Sequence, residues 1–220
     1  MVTNMEQFFQ PIKLSLVVSI SALMIVSVIG LLCAWLMEKK QFKGKVILDT
    51  VLLLPIVLPP TVIGFLLIML FGNNSVVGQI IQFLFDTTVM FTVGAAIIAA
   101  VIVALPLMYQ TTRTGISLVD QHVEDAARVD GASELDVFRL ITFPLIRKSF
   151  FTGITLAFAR ALGEFGATLM FAGNIPGKTQ TIPTAIYVAI ESNQMQLAWA
   201  WVVTIIVVSY GMLLIIRKSA

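Results

Sequence analysis

Long uncharged apolar stretches alternate with short polar ones along this chain, and the apolar stretches have the length of a bilayer crossing. A hydrocarbon core needs about 20 apolar residues per helix. Windows at Leu14–Met37, Thr50–Phe71, Val89–Thr112, Phe150–Ala172 and Leu197–Ile216 meet that need. In lipid each backbone N–H and C=O must find its partner inside the segment, so the pattern predicts five transmembrane helices. Between the third and fourth windows, Arg113 to Lys148 is too charged to insert and too long for a plain connection. Its spacing predicts a helix-turn-helix. Val123, Ala126 and Ala127 share one helical face, and Glu124, Asp125 and Arg128 cover the other. Gly131 supplies a left-handed turn residue. Ser133 and Asp136 have the form of a capping box for a second helix with apolar face Val137, Leu140 and Ile141, which Pro144 ends before the fourth span. The expected fold is an all-α membrane protein, residues 1–220 forming one domain, with a polar loop at about 113–148.

Two irregularities fall inside the spans. Pro55, Pro59 and Pro60 remove three amide donors from the second window, so a regular helix is not expected to run through them. They are read either as a broken helix facing a bundle interior or pathway, or as a proline-rich helix entrance just inside the interface. In the fourth window Arg160 and Glu164 stand four apart, on one helical face, and are expected to pair. An arginine at mid-span costs about 2.5–3.5 kcal/mol on insertion scales, so it faces the bundle or water. It is either half of an ion pair locking two helices or a cation that transiently meets an anionic substrate. Gly163 and Gly166 would let a neighbouring helix approach closely.

Composition sharpens this picture. Hydrophobic residues make up 58% and charged residues 12%, outside the soluble globular range. Cys33 and His122 stand alone, so neither a disulfide within the chain nor a cysteine or histidine metal cluster is expected, and no cofactor is implied. The net charge of +2 says little, but its distribution says more. With five spans, the bases of 39–45, of 113–148 and of Arg217-Lys218 fall on one side, leaving Lys13 and Lys178 on the other. The positive-inside rule then puts the amino terminus outside and the carboxyl terminus in the cytoplasm. In the loop, acidic residues slightly outnumber basic ones, which favours a protein partner over lipid headgroups. No nucleic-acid partner is expected. The spans offer no nucleophile with a base, so an intramembrane enzyme is not expected either.

The run Asp125-Ala126-Ala127, three residues, Gly131, nine residues, Ile141-Thr142-Phe143-Pro144 resembles the cytoplasmic "EAA" loop of ATP-binding-cassette (ABC) importer permeases. Asp125 stands where glutamate is commonest in that family, and Phe143 where leucine is. The resemblance implies a coupling helix that inserts into a cleft of a separate ATPase subunit. Asp125, Ala126, Ala127 and Gly131 would form the docking surface, and Ile141 and Pro144 would position the following helix. Gly163-Glu164-Phe165-Gly166-Ala167, with the turn from Phe171 to Pro183, closely resembles the molybdate permeases; sulfate and thiosulfate permeases share the core and a related turn. The continuation Gly177 to Tyr187, the segment Leu54 to Pro60 and the lead-in Phe42 to Lys45 also fit the molybdate family.

The resemblance covers nearly the whole chain. It implies a type I ABC importer permease fold and a homodimer in a bacterial inner membrane, with two ATPase subunits and an external oxyanion-binding protein. The substrate it implies is molybdate, with tungstate or sulfate and thiosulfate as alternatives. The chain has no Walker glycine-lysine loop, so ATP hydrolysis is assigned to the partner. One intramembrane arginine offers no means of telling tetrahedral dianions apart, so selectivity is expected in the external binding protein.

Overall fold

Two parallel helices, α1 (Met5–Lys39) and α5 (Val93–Ser117), form the centre of the bundle. The computed structural model describes residues 5–219, with side chains to residue 214, and among these there is no strand. The basic tail Arg217-Lys218 lies outside the described side chains. Small residues let the two central helices pack closely, since Ala22, Ala34, Ala95, Ala96, Ala99, Ala100 and Ala104 are fully buried. A Cβ at Gly30 would lie 2.8 Å from Met108 Cγ, which leaves room there for hydrogen alone. Helix α8 (Phe143–Leu162) packs antiparallel to α5, with Gly115 against Ser149 and Gly153 against Thr111 and Met108.

Parallel packing of α1 and α5 requires the chain to cross once between them, and a broken pair makes that crossing. Helix α2 (Lys45–Val57) starts beside the carboxyl-terminal half of α5, where Asp49 accepts hydrogen bonds from Tyr109 (2.6 Å) and Arg113 (2.6 Å). It is followed by α3 (Pro60–Phe71), the two bent by 120°. The chain then passes through α4 (Val76–Phe85) to Phe91, whose N–H donates to Phe171 O (3.3 Å) at the other end. The break has a local cause. A residue before proline is pushed out of the helical region. Leu58 and Pro59 both precede one and are extended, with ψ of 137° and 139°. Pro60 then starts α3, where its missing donor costs nothing. Pro55, by contrast, is accommodated inside α2, so two prolines rather than three make the break.

The fourth window is corrected in the same way. Phe150–Ala172 is not one helix: α8 begins earlier, ends at Leu162, and is followed by the short α9 (Gly166–Phe171). Among the described residues, four helices are long and apolar enough to cross a membrane, and the bent pair makes a fifth, broken candidate. Beyond α9, α10 (Ile182–Glu191) is anchored to α1 by the Ile182 N–H donating to Ser15 Oγ (2.8 Å). The last helix, α11 (Met195–Ser219), is anchored by Trp201 Nε1 donating to Phe8 O (3.1 Å).

Helices α3 and α9 lie against each other through Gly64, Ala167 and Gly166. A Cβ at Gly166 would sit 2.9 Å from Pro60 Cβ, part of a ring that does not yield. Gly166→Ala is therefore expected to lower stability by about 1–3 kcal/mol through overpacking, read as an earlier melting transition in detergent. Gly163→Ala is the control, because its Cβ would meet nothing nearer than Ala159 O at 3.4 Å, an ordinary contact. Gly163 is exposed, and among the described residues, its two chain neighbours aside, Ala159 O is the one atom within 4 Å of where its Cβ would stand.

Candidate functional site

The polar loop folds at the end of the bundle where α1 and α5 finish and α8 starts. Asp120 begins α6 (Gln121–Val129) by accepting the His122 N–H (2.9 Å). Its other end closes as a Schellman turn: Gly131 N–H donates to Arg128 O (3.1 Å), Ala132 N–H donates to Ala127 O (3.0 Å), and Gly131 has φ +92°. Ser133 and Asp136 then form the reciprocal capping box of a one-turn helix, α7 (Glu134–Val137). Arg128 ties the two helices together, donating to Asp125 (2.6 Å) and, through two nitrogens, to Glu134 (2.6 and 3.2 Å). The Arg128 guanidinium holds the Glu134 carboxyl below the usual carboxylate range, and the Ser133 hydroxyl does the same for Asp136.

Past α7 the backbone makes a π-helical turn, Phe138–Thr142, and runs directly into α8. Pro144 therefore does not end a helix; it sits in the first turn of α8. The turn widens just before the proline, with Phe143 N–H donating to Phe138 O, and this relieves the clash a proline ring makes with the carbonyl four residues back. The extra residue also shifts the register. Val137 is buried and Ile141 half-buried, but Leu140 points outward, 74% exposed.

Helix α6 presents the opposite face to the one its charges suggest. Asp125, Ala126 and Val123 are exposed, Ala127 is half-buried, and Glu124 is its one buried residue, at 1% exposure. The Glu124 carboxylate receives Lys39 from the end of α1 and the Thr142 hydroxyl (2.6 Å), with Arg128 at 3.7 Å. Glu124, Lys39 and Thr142 were not among the residues the sequence singled out. Only the fold brings them together, since Lys39 and Glu124 are 85 positions apart. Outward from α6 and its flanks, Leu118, Val129 and Leu140 expose most of their surface. The loop thus offers small and apolar side chains interspersed with exposed carboxylates, Asp125 among them, on a rigidly turned frame.

A second cluster lies where α8 gives way to α9. Arg160 Nη1 donates to Glu164 Oε2 (2.6 Å), and Glu164 Oε1 accepts the Ala167 N–H (2.8 Å). That amide is the one an unbroken helix would pair with the Gly163 carbonyl, so the carboxylate replaces the missing helical bond. Glu164 is off the end of α8 rather than on its face, and it is buried, whereas the Arg160 side chain is 31% exposed. Gly166 places the Pro59-Pro60 break against this joint, and both prolines are exposed in the single chain rather than turned into its interior.

Comparison with known proteins finds relatives, and a solved fold, alike over most of this chain. YvgM of Bacillus subtilis (strain 168), whose name assigns it provisionally to molybdenum transport as a permease, is 52% identical over 214 residues, 97% of this chain and 94% of its own length. The molybdenum transport system permease protein ModB of Escherichia coli (strain K12) is 43% identical over 184 residues, 84% of this chain and 80% of its own. The fold matches a crystal structure of a bacterial alginate ABC transporter in complex with alginate pentasaccharide-bound periplasmic protein. The TM-score is 0.79 at 19% identity, over 97% of this chain and 78% of that one. Residues 12–218, which hold both the polar loop and the arginine joint, match one family description throughout, and the chain belongs to that family, the inner membrane components of binding-protein-dependent transport systems.

Proposed function

We propose that this chain is the molybdate-translocating permease of a bacterial ABC importer, working as a homodimer with two ATPase subunits and an external oxyanion-binding protein. The amino terminus lies outside and the carboxyl terminus in the cytoplasm. The observation that carries the reading is the frame of residues 120–136, which holds Asp125 and Ala126 outward at the basic end of the bundle. The relatives named for molybdenum transport, alike over most of this chain, support the substrate. A second copy is supported by the α2–α3 break. Non-helical backbone at membrane depth persists only against protein or water, and Pro59 and Pro60 are uncovered in one chain. The face shared by the break and Arg160 is where two copies would enclose a pathway.

Asp125, Ala126, Ala127 and Gly131 meet the ATPase, and Ile141 and Pro144 set the start of α8. Closure of the ATPase pair on nucleotide moves the docked helices and rocks the two bundles between outward- and inward-facing states. ATP is hydrolysed by the partner, and selectivity among dianions rests with the binding protein.

ATP hydrolysis by the complex in proteoliposomes tests this, with the binding protein loaded in turn with molybdate, tungstate or sulfate. Stimulation by molybdate and tungstate, without sulfate, is expected. Stimulation by sulfate alone would transfer the chain to the sulfate permeases and leave the coupling argument standing. No stimulation by any of the three would overturn the importer reading.

A further inference from the structure

We infer that Glu124 is the positioning residue that fastens the docking helix α6 to the bundle and passes the movement of the ATPase to α1 and α8. The inference rests on the reading that α6 docks an ATPase. A helix is usually held to its protein by an apolar stripe. Here the apolar residues Val123 and Val129 face outward, and the single buried side chain of α6 is a carboxylate. A buried carboxylate is tolerated only when its oxygens are occupied. Glu124 meets this with groups from three elements: Lys39 on the last turn of α1, Thr142 at the end of the π turn, and Arg128 on α6 itself.

The π turn belongs to the same device. Its extra residue carries Leu140 outward while Thr142 is buried at 1% exposure, with its hydroxyl on Glu124. Apolar contacts slide, but a hydrogen-bonded ion pair fixes direction and register. A push on α6 therefore reaches the end of α1 and the first turn of α8 together, and the outward face stays free for the partner.

The test uses the whole complex in proteoliposomes, with binding protein loaded with molybdate, and measures three things: ATPase subunit co-purified, ATP hydrolysed, and molybdate transported per ATP. Glu124→Gln is expected to keep the ATPase bound and hydrolysing while transport per ATP falls about tenfold, the low end of what losing a hydrogen bond to a charged group costs. Thr142→Val, which keeps the shape and removes one hydroxyl, is expected to lower the same ratio by less. Wild-type transport per ATP in Glu124→Gln would overturn the inference, as would loss of the ATPase from that variant alone. If the Glu124→Gln chain itself does not fold and purify, Thr142→Val decides, and an unchanged ratio there overturns it. Failure of the wild-type chain to hold the ATPase would fall on the docking reading itself, so the two failures are distinct.

Discussion

Gly131→Val is expected to lower transport about tenfold and to remove the stimulation of ATP hydrolysis by loaded binding protein, while the chain still inserts and purifies. The reason lies in the backbone. Gly131 holds φ +92°, and a Cβ built there meets no atom within 4 Å, so the substitution strains the turn without crowding it. A left-handed conformation costs an ordinary residue about 1–2 kcal/mol, and β-branched residues are genuine outliers there. That shift changes a local equilibrium by a factor of about 5–30. The loop is poorly placed to absorb it: α6 has one buried residue, and α7 is a single turn. Two companions separate strain from bulk. Asparagine tolerates the left-handed region and alanine does not, so the expected order of activity is Gly131→Asn, then Gly131→Ala, then Gly131→Val. If the glycine served only to let the ATPase surface approach, alanine, the smallest, would be mildest and asparagine would fail. Normal coupling in Gly131→Val would sink the docking assignment.

Features governed by neighbours in sequence were legible. Five apolar windows led to four long helices and one broken pair among the described residues, because hydrocarbon thickness and backbone satisfaction constrain a segment by itself. The Pro59-Pro60 break, the Gly131 turn and the Ser133–Asp136 box were equally readable, each being set within a few residues. What failed depended on partners far along the chain or on backbone geometry that residue spacing does not encode. Glu124 looked like part of a solvent-facing stripe, since nothing near it announces that Lys39 and Thr142 will enclose it. Pro144 looked like a helix stop because a π turn, which relieves its ring, has no signature in residue spacing. Gly163 and Gly166 looked equivalent, yet only Gly166 has Pro60 pressed against it.

The two clusters are joined by α8. Thr142 precedes its first residue, Arg160 lies in its last turn, and its 20 residues span about 30 Å as one rigid helix. A displacement received at the π turn therefore arrives at the arginine joint, beside the α2–α3 break. This is a mechanical link between the α6–α7 loop and the arginine joint made from this chain alone.

At that joint, Arg160→Met is expected to be more destabilising than Glu164→Gln, although the two residues form one pair. Glu164 is buried, and losing Arg160 leaves its carboxylate with the Ala167 N–H as its remaining hydrogen-bond donor. An uncompensated buried charge of that kind costs about 3–5 kcal/mol. Losing the carboxylate instead leaves an arginine that is 31% exposed and reaches other solvation. Its cost, discounted for that exposure, is about 1–2 kcal/mol, and a glutamine oxygen still accepts from Ala167. Replacing both residues is expected to recover much of the Arg160→Met loss, since no charge is then stranded. Thermal unfolding of the detergent-solubilised chain measures all three variants as a cycle. If the pair only locks α8 to α9, transport in each variant follows the amount of folded complex. If Arg160 also meets the anion through its exposed donors, Arg160→Lys and the double variant lose transport far beyond their loss of folded complex. Equal stability of Arg160→Met and Glu164→Gln would refute the burial asymmetry on which this ordering rests.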